Sequence, residues 1–577
     1  MNRRKFLVGA TATAAAVSAA TGSHAQAFLR PPQISVVDYG ADPNGKQDST
    51  KAIQNAIAAL KAKRTRVLHF PHGTYRLNSV QRIAMEFPNM SDFEIDGDGS
   101  TLLMGQDARC MYFAKTSNVI VRDLAIDWDP LPFTQGTVTA SGPSGFSLRV
   151  DTGFPVPAHA TLLAIGSFDR SMKVLAKTPF LDLYPKASTA QATGPSDLRV
   201  ELTQSNPIPV GTVLVLRFKG VHDVVGIDDS HGIAVRSVKV HSSYSAGFTI
   251  SRSSDLTFDG LIIGMPIGGS RLLSTNADGM DFNSCFGTVV FKKCAFQGMG
   301  DDAINLSTEM WRLRRDAGGA SVSMVKRSGG SVATSELSSP GARLEILDPS
   351  DLHSIGRAKA ASTGSTVATA QMEEGVNSST LDGAVVLDAN LTPAAKILDC
   401  QFTGNRARAV VAHKDIEVRN CTFQNTTLAA ILLAPDSFYM EGPTTRNVAI
   451  ESNHFSGCHY GSKDPEGSIT IDVQHSYSRR TGVPNGEAQD IRIIANSFDS
   501  CPTAAISCRS VDRLAIQNNR VGQTWTEGDS ASAPRAMILT QLTNSIVTGN
   551  SATAPGVIAI GNSESTKVSD NSGFIIL

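Results

Sequence analysis

The sequence has little charge and few aromatic residues. Charged residues make up 18% of the 577 residues, aromatic residues 6%, and the formal net charge is −1. A near-neutral chain lacks the basic surface with which proteins bind nucleic acid, so no nucleic-acid partner is expected. Low charge together with 49 glycines is typical of a turn-rich β protein rather than of a helical bundle. The 41% of hydrophobic residues suffices for a large core, which excludes a wholly disordered chain.

Long apolar runs and metal-ligand pairs are also absent. No internal segment reaches the roughly 18 uncharged apolar residues that a transmembrane helix needs, so no membrane partner is expected. The cysteines include no Cys-x-x-Cys pair, and His454, Cys458 and His459 have no second ligand pair to complete a zinc site. We therefore expect neither a disulfide framework nor a structural zinc site, and we predict no metal or other cofactor.

The first 27 residues are predicted to be a signal peptide rather than part of the fold. Arg3 and Arg4 precede an Ala/Thr-rich stretch, and Ala25-Gln26-Ala27 matches a small-x-small cleavage site. The pattern resembles a bacterial twin-arginine export signal, with an ordinary secretory signal as the alternative. Either signal predicts a periplasmic or secreted bacterial protein.

One segment near the start has helical periodicity. Residues 48–63 place Ile53, Ile57 and Leu60 at helical spacing, between two strand-like segments. This passage resembles the N-terminal cap of secreted parallel β-helix enzymes, in which a helix closes the open end of the coil.

Short alternating apolar units recur along the rest of the chain, and alternation indicates strands. Seven of them are residues 118–126, 232–240, 287–296, 415–423, 447–455, 490–498 and 513–521. The last five place Asn or Cys two residues before an apolar residue, which suits a turn whose side chain points inward and stacks on the next coil. The pattern predicts an all-β fold, a right-handed parallel β-helix, in preference to an array of β-sandwiches.

Two stretches interrupt the repeat, and we predict that they form small β-barrels inserted beside the helix. The predicted regions are residues 1–27 (signal peptide), 28–137 (cap and first coils), 138–218 (first inserted barrel), 219–310 (coils with the acidic cluster), 311–396 (second inserted barrel) and 397–577 (C-terminal coils).

The densest group of polar residues contains three aspartates. Asp278 precedes Asp301 and Asp302 by about one coil, and successive coils are about 4.8 Å apart, so the three carboxylates should meet on adjacent rungs. Close carboxylates repel each other, and at least one should hold a proton at neutral pH. A protonated and an ionised carboxyl group together are what glycoside hydrolysis requires. The alternatives are an Asp/Asn ladder that caps turns or a calcium site.

At these residues the sequence resembles glycoside hydrolase family 110. The resemblance is carried by residues 271–282, 300–305, 127–136 and 434–443. It implies an inverting exo-α-1,3-galactosidase on a parallel β-helix with inserted barrels, with Asp278, Asp301 and Asp302 as catalytic residues. One departure is Phe438-Tyr439-Met440-Glu441, which lacks the tryptophan often found before the glutamate.

Other residues near these motifs are candidates for sugar binding. They are Asn276, Asp281, Asn305, Arg271, Asp436, Glu441 and Trp311. Trp311 either stacks on a sugar ring or packs in a core, and Arg271 either contacts a sugar hydroxyl or pairs with Asp281. The predicted partner is an oligosaccharide or polysaccharide, and a homodimer is left open.

Three further functions remain as alternatives. A polygalacturonase of glycoside hydrolase family 28 would need a Gly-His-Gly turn after Asp302, which is missing, and the Arg357-Ala-Lys359 motif falls inside the second insertion. A Ca²⁺-dependent polysaccharide lyase would use the aspartates as metal ligands. A carbohydrate-binding adhesin would bind glycans without releasing product.

Overall fold

The computed structural model describes residues 32–63, 65–79, 81–203, 205–315, 322–349, 352–363, 367–373, 381, 383–462, 466–472, 474–475, 478–479, 486–526 and 534–577. The predicted signal peptide, residues 1–27, lies outside the described residues. Over the described ranges, no helix has the length and hydrophobicity needed to cross a membrane.

A single sheet of 37 strands, almost all paired in parallel, winds along the described part of the chain. Phe248–Ser251, for example, pairs in parallel with Val225–Asp228 of the preceding coil and with Met280–Asn283 of the following one. Each strand thus stacks on the strands one coil before and one coil after it. The predicted parallel β-helix is confirmed.

The strands of this sheet are, in chain order, Gln33–Ser35, Asn44–Asp48, Val67–His69, Thr74–Leu77, Ile83–Pro88, Ser91–Met104, Arg109–Ala114, Ser117–Trp128, Val225–Asp228, His231–Arg236, Lys239–Val240, Phe248–Ser251, Ser254–Asp259, Ile262–Ile263, Met280–Asn283, Phe286–Lys292, Ala295–Gln297, Ile304–Glu309, Ala394–Leu398, Gln401–Thr403, Val410–Ala412, Lys414–Arg419, Thr422–Gln424, Ile431–Leu433, Glu441–Gly442, Arg446–Glu451, His454–Ser456, Gly467–Ile471, Ala488–Ile494, Ser497–Asp499, Ala504–Gln517, Arg520–Val521, Arg535–Thr543, Ile546–Thr548, Ser551–Gly561, Lys567–Ser569 and Ser572–Ile576. A separate hairpin joins Gln474–His475 to Ser478–Arg479.

Identical side chains stack on one another inside the coils. The Oδ1 atoms of Asn496 and Asn519 each accept the main-chain N–H of the asparagine one coil earlier, Asn453 and Asn496 respectively, at 2.9 Å. The rings of Phe423 and Phe455 lie parallel with their centroids 4.7 Å apart. The asparagine ladder satisfies buried polar groups, and both ladders fix the register of each coil on the next, as the inward turn residues predicted.

The one α-helix of the described residues, Thr50–Lys63, closes the N-terminal end of the β-helix. Its main-chain start is capped by Asp48, whose Oδ1 accepts the N–H of Thr50 at 3.0 Å. Ile53, Ile57 and Leu60 are buried against the first coils, as their spacing predicted. Two short 3₁₀ turns, Val36–Tyr39 and Thr334–Glu336, complete the helical elements of the described chain.

The first insertion forms a small antiparallel barrel. Its strands are Phe133–Gly142, Gly145–Val150, His159–Asp169, Val174–Leu175, Asp182–Leu183, Thr189–Gly194, Asp197–Glu201 and Val213–Phe218. His159–Asp169 pairs at one end with Thr189–Gly194 and at the other with Val213–Phe218, which closes the sheet into a ring. Its first strand begins at Phe133, before residue 138 at which the sequence placed the boundary.

The second insertion is a closed barrel of six strands. They are Trp311–Arg315, Val322–Val325, Arg343–Leu347, Ser354–Thr363, Val367–Met372 and Val385–Asp388. Leu313, Met324, Leu344 and Ile346 are among its core residues.

Candidate active site

Charged residues on three successive coils lie one above another at the floor of a cleft. They are Asp278, Asp302 and Arg408. Each lies two positions before the first residue of a strand, and the three strands pair with one another in coil order. Asp301 adjoins Asp302 on the middle coil. One carboxylate oxygen from each of Asp278, Asp301 and Asp302 lies within 4.8 Å of those of the other two. The structure therefore brings together the three carboxylates that the one-coil spacing predicted.

Main-chain groups and two arginines fix the positions of these carboxylates. The N–H of Asp302 donates to Oδ1 of Asp278 at 2.9 Å, and the N–H of Arg408 donates to Oδ1 of Asp302 at 2.7 Å. The guanidinium of Arg408 stands 3.7 Å from Asp302, and that of Arg406 donates to Oδ1 of Asp301 at 3.1 Å. The carboxylate nearest each arginine is thus partly neutralised, and little freedom is left to its side chain.

Enclosure and mutual repulsion raise the pKa of two members of the cluster. Burial, with the charges of Asp301 and Asp302 added to it, raises the pKa of Asp278 well above its usual value. Burial also raises the pKa of Asp302 to about 6, with Arg408 opposing the rise and Asp301 adding to it. The cluster accordingly retains a proton near neutral pH.

Two more carboxyl groups stand next to the cluster. Burial, followed by the charges of Asp223 and Asp302, raises the pKa of Asp281 to about 6. Burial, followed by the charges of Asp281 and Asp436, raises the pKa of Glu441 to about 7. Both groups therefore hold a proton for part of the time near neutral pH, and Glu441, which lines the cleft, can then donate a hydrogen bond to a ligand.

The cleft above the carboxylates has a volume of about 520 Å³. It is lined by Tyr184, Asp278, Asp301, Asp302, Asn305, Arg406, Arg408, Val411, Leu428, Leu432, Ala434, Asp436, Tyr439 and Glu441. Tyr184 comes from the first barrel, and residues 434–443 form another wall. The predicted residues Asn305, Asp436 and Glu441 are thus in the cleft together with the three aspartates, and Asp281 pairs with Asn305 in the sheet.

Tyrosines project from these two walls. The Tyr184 side chain is 50% exposed, and its ring lies 5.3 Å from the guanidinium carbon of Arg406. Tyr439 is 43% exposed and has the guanidinium of Arg327 at 5.1 Å from its ring. Half-exposed rings held by cations give a sugar flat apolar surfaces against which to pack.

Three of the predicted sugar-binding residues, Arg271, Trp311 and Asn276, do not line the cleft. Arg271 donates through both terminal nitrogens to Asp127 at 2.9 Å, so its partner is neither Asp281 nor a residue of the cleft lining. Trp311 is 1% exposed and packs in the core of the second barrel, so its ring is closed to a sugar. Neither side chain lines the cleft, because Arg271 is paired with Asp127 of another coil and Trp311 is enclosed in the barrel core.

Asn276, the third of them, joins the coil to the first barrel. It is 1% exposed, and its Nδ2 donates to the carbonyls of Pro132 and Phe218 at 3.0 and 3.2 Å. Arg217 of the same barrel donates from one terminal nitrogen to the carbonyls of Asn276 and Gly300, both at 2.8 Å. Asn276 therefore holds an aspartate-bearing turn in place rather than facing the cleft.

Sequence reasoning did not identify the two arginines of this site or the residues that the first barrel contributes to it. Arg406 and Arg408 lie on the coil that follows the aspartates, but the second barrel intervenes, so they are 105 and 106 residues from Asp301 and Asp302 and the one-coil spacing does not reach them. Tyr184, and Asp182 beside Arg406, carry no repeat signal either, because they belong to the first barrel.

The aspartate cluster is also the part of the described chain where three carboxylates could hold a metal ion. Arg406 and Arg408 already contribute positive charge to Asp301 and Asp302. A divalent cation at the same oxygens would be repelled by these guanidinium groups, so the donor set fits acid–base chemistry better than a calcium site.

Comparisons with known proteins give two kinds of relative. A family model described as rhamnogalacturonase A/epimerase, pectate lyase-like, matches residues 33–100. Alpha-1,3-galactosidase A of Shewanella woodyi is 23% identical over 582 residues, covering 92% of this chain and 93% of that protein. Alpha-1,3-galactosidase B of Bacteroides thetaiotaomicron is 24% identical over 551 residues, covering 84% of this chain and 85% of that protein.

These relatives confirm the predicted resemblance to alpha-1,3-galactosidases and the prediction that the chain is a glycoside hydrolase. Among solved structures, PfbA, a surface adhesin of Streptococcus pneumoniae, has a TM-score of 0.43 and 13% sequence identity, covering 94% of this chain and 90% of that one.

Proposed function

We propose that the chain is a secreted, exo-acting, inverting glycoside hydrolase that releases terminal α-1,3-linked galactose from glycans. The observation that carries the proposal is the cluster of Asp278, Asp301 and Asp302, enclosed and partly protonated, at the floor of the cleft. Relatives named alpha-1,3-galactosidase that align over most of both chains support the sugar and the linkage.

The environments of the three aspartates suggest a division of roles. Asp278 and Asp302 have raised pKa values, so we propose that one of these two residues donates the proton to the glycosidic oxygen. The Asp301 side chain is 39% exposed and faces Arg406, so we assign it to the water that attacks the anomeric carbon. The sugar would lie between the walls formed by Tyr184 and Tyr439.

Inversion rests on the family resemblance rather than on the spacing of the carboxylates. An inverting pair normally stands about 6.5–9.5 Å apart, which leaves room for the attacking water. The cluster oxygens lie within 4.8 Å of one another, so a water would have to sit at the edge of the cluster and contact two carboxylates. The anomer released is therefore the sharpest check on this part of the proposal.

The shape and charge of the cleft support a short neutral substrate. A volume of about 520 Å³ is that of a pocket for a small ligand rather than of a long groove, which favours exo action. Arg406 and Arg408, the cations of the lining as described, are both paired with carboxylates. An anionic sugar such as galacturonate would find no uncommitted cation there, so nothing in the described cleft favours a polygalacturonase.

The test is hydrolysis of galactosyl disaccharides by the purified protein. We expect galactose from the α-1,3-linked disaccharide, slower release from α-1,4 and α-1,6 isomers, and β-galactose as the first anomer in ¹H NMR. Asp301→Asn and Asp278→Asn serve as inactive controls. Initial α-galactose would overturn inversion, internal cleavage of longer glycans would overturn exo action, and no hydrolysis of any α-galactoside would overturn the proposed function.

Export is a separate part of the proposal, supported by the N-terminal sequence. If Arg3 and Arg4 form the recognised twin-arginine pair, replacing both by lysine should retain the protein in the cytoplasm. Fractionation of producing cells checks this, and normal export of the double variant would instead indicate the ordinary secretory route.

A further inference from the structure

The first barrel contributes a carboxylate that is connected to the active site by an arginine. Asp182 lies in the short strand Asp182–Leu183, and its side chain is only 14% exposed. Its Oδ2 accepts a hydrogen bond from Nε of Arg406 at 2.7 Å. The guanidinium of Arg217 lies 3.7 Å from the same oxygen.

Arg406 in turn contacts the cluster. Its NH1 donates to Oδ1 of Asp301 at 3.1 Å, while the ring of Tyr184 lies over the guanidinium. The guanidinium is planar, with its donors in a fixed fork, so a partner at Nε sets the direction in which NH1 points. The orientation of the group on Asp301 is thus determined by a residue outside the β-helix.

We propose that Asp182 is a positioning residue for hydrolysis, acting through Arg406 on Asp301. The inference rests on the proposed function, since it assigns Asp182 a part in the same reaction. Without the Asp182 carboxylate, the Arg406 guanidinium is free to rotate about its stem toward the other carboxylates of the cluster. Asp301 would then lose its fixed partner, and the water it orients would lose its alignment with the sugar.

The first experiment compares Asp182→Asn with a matched control in the same barrel. Asp197 makes an ion pair of equal length, 2.7 Å to Nε of Arg149, on an exposed part of the barrel and away from the cleft lining. On the α-1,3-linked galactosyl disaccharide we expect Asp182→Asn to lower kcat about 10- to 100-fold, with KM within about twofold of the wild type. Asp197→Asn should leave both constants unchanged, and Asp182→Asn should remain folded at the temperature of the assay.

The second experiment asks whether Asp182 acts through Arg406 or through Arg217. In the Arg406→Ala background, Asp182→Asn should change kcat by less than about twofold, because the intermediary is already gone. Asp182→Glu should recover part of the rate. An equal loss of kcat with and without Arg406, or a loss in Asp197→Asn as large as in Asp182→Asn, would overturn the positioning role. An inactive wild-type protein would instead overturn the proposed function, so the two failures are distinct.

Discussion

Replacing Asp302 by asparagine is expected to abolish hydrolysis and, above pH 6, to stabilise the protein. Asparagine resembles the protonated aspartic acid in shape and still offers an oxygen to the N–H of Arg408. It removes a group to which we assign proton transfer, and loss of a general acid or base lowers rates by about 10²–10⁴-fold. Activity and stability should therefore change in opposite directions.

The size of the stability effect follows from the pKa of Asp302. Folding raises this pKa from 3.8 to about 6, so the ionised form is disfavoured in the folded state. At about 1.4 kcal/mol for each tenfold change in an equilibrium, ionisation costs the folded state about 3 kcal/mol. The cost is absent below pH 3.8, where both states are protonated, and complete above pH 6. The variant should thus gain stability at about pH 8 and none at about pH 3.5.

Thermal unfolding of wild type and variant at both pH values, with kcat measured alongside, is the assay. Asp490→Asn is a control of opposite sign, because hydrogen bonds from Arg513 lower the pKa of exposed Asp490. That control should lose a little stability at the higher pH and less at the lower one, because the stabilisation by Asp490 fades as pH falls through its lowered pKa. A variant of Asp302 that is less stable than wild type at the higher pH, or that retains its kcat, would refute the reasoning.

Three further predictions concern the cleft walls and the cluster. Because the pKa of Glu441 is raised to about 7, the kcat/KM of the wild type should change through pH 7 as Glu441 loses its proton. Glu441→Gln should remove that inflection, and a pH profile unchanged by the substitution would contradict the assignment. Tyr184→Ala should raise KM about 5- to 10-fold with little change in kcat, while Tyr184→Phe, which keeps the ring, should have a KM close to that of the wild type. If steady-state kinetics gave equal KM values for Tyr184→Ala and the wild type, the ring would not contact the sugar. EDTA should leave activity intact, since Arg406 and Arg408 already supply charge to the cluster, and an inhibition reversed by Ca²⁺ would show that a metal is needed.

The repeat made the β-helix and its acidic cluster predictable. The coil between Asp278 and Asp302 carries no insertion, so their separation of 24 residues sufficed to place them together. Arg408 is 106 residues after Asp302 because the second barrel lies between them, so the same spacing does not reach it. The interior ladder of Asn453 and Asn496 follows from the same periodicity.

The barrels are where prediction from the sequence stopped. Alternating apolar runs indicated strands, but nothing in them encodes which strand end meets the cleft, so Asp182 and Tyr184 were not found. Trp311 looked like a sugar platform because it follows the cluster closely, yet burial in a core satisfies a tryptophan equally well. Asn276 was assigned to the ligand although its amide is needed between two protein carbonyls.

The attachment of the first barrel has a consequence for how such enzymes diversify. Its first and last residues meet: the N–H of Phe218 donates to the carbonyl of Pro132, and one amide group of Asn276 contacts both carbonyls. A module whose two ends coincide can be exchanged or lengthened with little penalty to the solenoid, because the coils on either side keep their register. The aspartates belong to the solenoid and Tyr184 belongs to the module. Selection can thus change which glycan is accepted by altering the module while the carboxylates proposed to catalyse hydrolysis stay as they are.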